Sequence, residues 1–266
     1  MNTKVLITGA AGEIGSVLHR GLKGRYPLLR LADLRPVKAG AGEESVVCDF
    51  TDPAAAAKAF TGIDCVVHLA GVPREDAWDK ILPNNIAATY NVFEAARQAG
   101  VKRVVFASSN HTIGYYRVEG RVGRDVPVRP DSRYGVSKVF GEAVGRLYAD
   151  KHGMSVACLR IGSFRAEPAD KRQLTTWLSH GDMVELARAA IEAPAYHFVV
   201  VYGVSANTRA RWDSPDAAKI GYKPRDNAEN YAAAIAGKLA PPGPEADFHG
   251  GPFCALEFTG DAKRIE

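Results

Sequence analysis

"KVLITGAAGEIG", residues 4–15, joins a compact apolar run to Gly9, Gly12 and Gly15 at the point where helical periodicity begins. Glycine at these steps lets the backbone turn tightly and approach a pyrophosphate, whose charge meets free amides and the positive end of a helix dipole. The same three glycines also suit a turn with only packing duties. The strand–turn–helix context at the head of an alternating chain favours the dinucleotide reading, with Ala11, Glu13 and Ile14 filling the loop between the glycines.

Outward from that loop, short apolar runs at 4–8, 28–32, 45–48, 65–69, 103–107, 155–160 and 198–202 read as strands. They lack strict alternation, as strands buried on both faces do. Helical periods fall between them at 13–22, 52–60, 85–99, 133–151 and 182–192. This order predicts an α/β chain with a Rossmann-type, doubly wound parallel sheet. Thr51 before Asp52-Pro53 is a start signal, its hydroxyl capping free amides, and Gly100 is a stop. Helices are expected again at 215–220 and 227–239, around a loop-rich stretch at 239–252, and no internal repeat is visible. A single domain over 1–266 is expected, in which residues from about 163 add a small substrate-binding portion.

With 46% hydrophobic residues and 24% charged, the 266-residue chain can bury a sizeable core. A formal charge of +4 and the absence of five like charges in a row give nucleic-acid or membrane-surface binding little support. Cys48, Cys65, Cys158 and Cys254 stand far apart, without metal-ligand spacing, and read as buried reduced thiols. No metal site is expected. Neither an apolar leader after Met1 nor a stretch of about 18 apolar residues appears, so a cytoplasmic protein is expected.

The second strand ends in Asp33, eighteen residues past Gly15. A carboxylate there accepts hydrogen bonds from the adenosine ribose and repels a 2′-phosphate, which favours NAD over NADP. Leu34 and Arg35 follow; the Arg35 guanidinium could hold that phosphate but reads as solvent-facing. Asp49 and Phe50, then Leu69, Ala70 and Gly71, sit where later strands end and where such a sheet holds the adenine and the middle of a cofactor. Asp49 also suits a cap before a helix.

"DSRYGVSKVFGEA" sets Tyr134 and Lys138 four apart, on one helical face. A phenol near its usual pKa of about 10 is a poor base at neutral pH. A nearby ammonium is expected to lower it. Ser109 follows the fifth strand, twenty-five residues earlier, where its hydroxyl can orient a substrate oxygen beside the phenol. This combination resembles the extended short-chain dehydrogenase/reductase family: "TGAAGEIG", "HLAG", "NNIAATYN" and "YGVSK" match its motifs in order over residues 3 to about 165. The resemblance implies Ser109, Tyr134 and Lys138 as the catalytic set, Asn85 in the proton relay and at the cofactor, and Ile161 against the cofactor.

Only about a hundred residues follow "LRIGSF", little for gripping a nucleotide-sugar. The segments "SSNHTIGYY", "KRQLTTWLSHGDM", "VVYGVSANTRARWD" and "AKIGYKPRDNAE" are similar to compact members of the family that oxidise the C1 hemiacetal of glucuronate or galacturonate with NAD. That resemblance implies Arg172 on the substrate carboxylate, Asn110, His111 and Ser163 on its hydroxyls, and Ser109 and Tyr134 at C1. Arg172 otherwise reads as a loop charge, with Arg165 its nearest competitor. Pro73 falls in the substrate set by position but departs from the pattern: similar enzymes can offer a serine there, and proline has neither hydroxyl nor amide hydrogen. The departure bears on affinity or epimer preference. The alternatives are a sugar-nucleotide epimerase or dehydratase, which would need a C-terminal basic cluster that is not evident, and a catalytically silent NAD sensor. Tyr115 and Tyr116 read as packing, and His180, His197 and the tryptophans as structural. A homo-oligomer is expected, with "GPFCALEFTG", residues 251–260, as a candidate interface strand.

Overall fold

In a computed structural model, which describes residues 2–265, Val5, Leu6 and Ile7 of the first strand are completely buried. The strands are β1 (Lys4–Thr8), β2 (Leu28–Asp33), β3 (Glu43–Val47), β4 (Cys65–His68), β5 (Arg103–Ser109), β6 (Ser155–Ile161), the short β7 (Ser163–Phe164) and β8 (Trp177–Leu178), and β9 (Phe198–Gly203). Seven form one sheet in the order β3-β2-β1-β4-β5-β6-β9, with every pairing parallel. The order reverses between β1 and β4, the switch point at which such sheets open a crevice beyond the carboxyl ends of their strands. β7 and β8 pair apart from it.

Alternation along β1 shows how both faces are filled. Val5 and Ile7 pack with Leu18, Leu22, Met183 and Leu186, from helices α1 (Glu13–Leu22) and, later in the chain, His180–Glu192. Leu6 packs with Phe60, Phe93, Phe106 and Tyr148 on the opposite face. Complete burial of each such side chain contributes about 1.5–3 kcal/mol. The remaining helices of the first half are α2 (Pro53–Ala59), α3 (Trp78–Ile81) and α4 (Ala88–Gln98), followed by α5 (Arg133–His152), α6 (Gln173–Thr176) and α7 (His180–Glu192).

Local chemistry corrects several boundaries. Asp52 caps α2 by accepting the Ala54 amide at 2.9 Å, while the Thr51 hydroxyl, expected as the cap, donates to Asp49 at 2.7 Å. The helix expected from 85 starts earlier and passes through a π-helical turn, Leu82–Ala87. Pro83 lies in that turn and brings no amide hydrogen. The helix expected at 215–220 is present as α8 (Asp216–Ile220), whereas the one expected over 227–239 breaks into a 3-10 turn, Ala228–Tyr231, and one short helix, α9 (Ala232–Ile235). The loop-rich stretch holds helical turns at Pro244–Asp247 and Pro252–Ala255, entered at Gly243 (φ 115°) and Gly251 (φ 62°). Residues 251–260 therefore form no interface strand. All four cysteines are buried and free, and among the described residues no helix is long and apolar enough to cross a membrane.

α5 lies close on the sheet because Gly141 faces it: a Cβ there would fall 2.1 Å from the Phe106 ring. Beneath it is a buried ion pair. Arg160 of β6 donates to both carboxylate oxygens of Glu142 at 2.9 Å, and the Ser108 hydroxyl completes Glu142 at 2.6 Å. Arg160 also donates to the Tyr202 hydroxyl at 3.1 Å. These bonds fix α5 against the ends of β5 and β6, one helical turn from Lys138.

Candidate active site

The carboxyl ends of the strands open into a cleft of about 760 Å³, within the usual range for small-molecule sites. Every residue of the expected cofactor set lines it except Ala11 and Asn85. Gly9 turns the chain at φ 69°, and a Cβ on Gly9 or Gly15 would fall 2.8 Å from the Ala70 amide nitrogen or 2.2 Å from the Gly9 carbonyl oxygen. Gly12 caps α1 with no side-chain acceptor, so the first amides of α1 face the cleft uncapped. This arrangement fits a pyrophosphate.

Ala11 sits behind the cleft as a strut. Its amide donates to Asp33 at 3.0 Å, and its carbonyl accepts from the Arg35 guanidinium at 3.1 Å. Arg35 is exposed, as expected, but tethered. Asp49 lines the cleft and takes the Thr51 amide at 2.9 Å, but it does not cap the helix, whose cap is Asp52. Asn85 is a clamp rather than part of the wall. Its amide oxygen accepts the Val72 amide at 2.7 Å, and its nitrogen donates to the Val72 carbonyl at 3.0 Å and to Ser137 at 3.1 Å. Buried His68 holds Thr8 at 2.8 Å, and the Thr8 hydroxyl accepts the Leu69 and Ala70 amides. Burial pushes His68 down to about 3, which keeps it neutral.

Ser109 ends β5 and hydrogen-bonds the phenol of Tyr134. Tyr134 stands in the first turn of α5, where Ser132 caps the Gly135 amide at 2.9 Å and Glu75 accepts the Tyr134 amide at 2.8 Å. The Lys138 ammonium lies 5.3 Å from the Tyr134 ring centroid and 5.2 Å from that of Phe106. Burial pushes Tyr134 up to about 12, against the opposing Ser109 hydrogen bond, and pushes Lys138 down to about 8. The expected lowering of the phenol by the ammonium does not appear: desolvation dominates, Asp131 adds to it, and only the Ser109 hydrogen bond opposes it.

Pro73, Asn110 and His111 also line the cleft, but Ser163 and Arg172 do not. Arg172 lines a neighbouring cavity of about 740 Å³. It donates to Ser163 at 3.2 Å and to the His249 carbonyl at 3.1 Å, and Asn110 donates to that same carbonyl at 3.4 Å. Arg172 forms no ion pair with a carboxylate among the described residues, and burial lowers its pKa. Arg165 is exposed. His249, Phe253 and Asp131 have no signal in the linear sequence: Phe253 stacks on His111 at 3.9 Å, and Asp131 holds the other edge of that ring at 2.7 Å. Tyr115 packs edge-on against Phe248, as expected of it. His197 binds Asp150 at 2.6 Å, away from the cleft.

The chain is 47% identical over 254 residues to a uronate dehydrogenase of Agrobacterium fabrum, covering 94% of this chain and 96% of that protein. It is 43% identical over 254 residues to one of Pseudomonas putida, covering 94% and 95%. A crystal structure of uronate dehydrogenase from Agrobacterium tumefaciens complexed with NAD superposes with a TM-score of 0.91 at 46% identity, covering 96% of this chain and 98% of that one. Residues 5–180 match the NAD dependent epimerase/dehydratase family, which spans the glycine loop, the switch-point crevice and the Ser109–Tyr134–Lys138 set, and the chain belongs to that family.

Proposed function

We propose that the protein oxidises the C1 hemiacetal of D-glucuronate or D-galacturonate with NAD, giving the aldarolactone. The observation that carries this reading is Arg172. Arg172 is half-buried, its Nε is buried without a partner, and a guanidinium so placed with no carboxylate beside it is costly unless an anion completes it. Arg172 also shares the His249 carbonyl with Asn110 of the cleft. Its forked donors suit a carboxylate. The similarity to uronate dehydrogenases supports the same assignment.

Tyr134 takes the proton from the C1 hydroxyl, Ser109 steadies that oxygen, and Lys138 keeps positive charge beside the phenolate. Asn110, His111 and Ser163 receive the ring hydroxyls. NAD, when bound, supplies a hydride acceptor at C4 of its nicotinamide and a positive charge. The Asp33 carboxylate supports NAD over NADP, since Arg35 is already tied to the Ala11 carbonyl. Exposed Val136 and Leu147 on α5 and Tyr90 on α4 support self-association, and a cytoplasmic location fits a nicotinamide-linked enzyme with buried thiols.

The test is a panel of both uronates with NAD and NADP in parallel. A rise at the NADH band with a uronate is expected; turnover of a nucleotide-sugar with no response to either uronate rejects the assignment. Arg172→Ala is expected to raise the KM for uronate about 10- to 100-fold with a small change in kcat, because hydrogen bonds to a charged group contribute roughly 1.5–3 kcal/mol and act in ground and transition states alike. Steady-state kinetics check it, and an unchanged KM moves carboxylate recognition to Arg165.

A further inference from the structure

We propose that Asp131 is a positioning residue that decides which nitrogen of His111 offers a lone pair to the substrate, and so makes a donating hydroxyl a requirement of recognition. The inference rests on the assignment of His111 to a sugar hydroxyl.

The Asp131 side chain is fully buried, and its Oδ2 lies 2.7 Å from His111 Nδ1. Oδ1 accepts the Ser132 hydroxyl at 2.7 Å, and Ser132 in turn caps the helix that carries Tyr134. Space for the carboxylate comes from glycines in two remote segments: a Cβ on Gly114 or on Gly250 would fall 1.9 Å from Oδ2. Cys254 Sγ, 3.9 Å away, is a weak further donor. No lysine or arginine ion-pairs with Asp131 among the described residues, so the imidazole is its principal partner.

The His111 ring is held on three sides. Phe253 stacks on it with an interplanar angle of 18°, Tyr134 meets it edge-on at 5.7 Å, and Asp131 takes its Nδ1 edge. A neutral imidazole carries one N–H. A carboxylate can only accept, so it draws that hydrogen to Nδ1 and leaves Nε2 an acceptor. A sugar hydroxyl facing Nε2 must then donate. A site built this way rejects an analogue lacking the hydroxyl far more strongly than an apolar pocket would.

Asp131→Asn nearly keeps the volume but supplies an amide N–H that can donate to Nδ1, which moves the imidazole proton to Nε2. For uronate, KM is expected to rise about 30-fold with kcat within about fivefold, the pattern of an interaction made alike in the ground and transition states. In a His111→Ala background the same change is expected to alter KM by less than about twofold, since a double-mutant cycle exposes dependence on a shared partner. An equal factor in both backgrounds, or no change of KM in the first, overturns the proposal. Nitrogen-15 NMR of the unaltered protein reads the tautomer directly and needs no variant to fold: hydrogen on Nδ1 is expected, and hydrogen on Nε2 overturns the proposal. Uronate turnover by the parent enzyme, measured first, separates failure of this inference from failure of the assignment beneath it.

Discussion

Tyr134→Phe is expected to cut NADH formation from uronate by at least about a thousandfold while NAD affinity stays within a few-fold. General-base transfer contributes about 10²–10⁴ in rate, and phenylalanine keeps the ring that packs against His111 and Phe253. Retained affinity in a fluorescence titration, with activity lost, assigns the loss to the phenol oxygen. The pH dependence follows in sign. Burial holds Tyr134 up at about 12 in the free protein, and oxidation needs the phenolate, so kcat/KM is expected to rise with pH through the neutral range. The Ser109 hydrogen bond acts to lower Tyr134; Ser109→Ala should therefore move that rise to higher pH. Above about 8, where Lys138 gives up its proton, the phenolate loses its neighbouring cation and the rise should flatten. Initial rates from pH 6 to 10 for parent and variant check both statements.

Gly15→Ala is expected to weaken NAD binding by at least about 100-fold, as overpacking forces backbone to move. The added methyl would fall 2.2 Å from the Gly9 carbonyl oxygen and 2.7 Å from Ala10 Cα. Neither neighbour can yield easily. The Gly9 backbone is itself packed against Ala70, so relief requires α1 to withdraw from the loop, carrying away the amides that would meet a pyrophosphate. A stability loss of about 1–3 kcal/mol should accompany it, or roughly 2–4 °C in Tm per kcal/mol for a chain of this size. Calorimetry with NAD and a thermal melt read the two effects. Gly237→Ala, at a site with nothing within 4 Å of the new methyl, is the neutral control.

The sheet was legible because its strands are short, doubly buried and bounded by turn residues, and because β1 and the glycine loop adjoin in sequence. The expected strand at 28–32 is Leu28–Asp33 in the structure, and the helix at 133–151 is Arg133–His152. Where periodicity was weak, local polar bonds decided: Asp52 rather than Thr51 caps α2, and the alanine-rich 227–239 stretch breaks into short turns. In the site, Ser109, Tyr134 and Lys138 could be found because two share a helical face and the third ends a strand. Asp131 gave no signal. Its partners are His111, twenty residues back, and the glycine at 250, and only the folded chain brings them together. Phe253 and His249 were hidden for the same reason, inside a stretch whose glycines and prolines read as loop.

The segment that carries His249, Gly250 and Phe253 has a bearing on proteolysis. Among the described residues, none later than Phe164 lines the cofactor cleft, whereas the ring behind His111 and the carbonyl that joins Asn110 to Arg172 arrive more than eighty residues downstream. In the chain, the nucleotide cradle and the wall beside His111 and Arg172 are thus drawn from separate stretches. A protease that nicks the exposed stretch near Leu239 would cut the chain between the part that lines the cofactor cleft and the part that packs against His111 and Arg172.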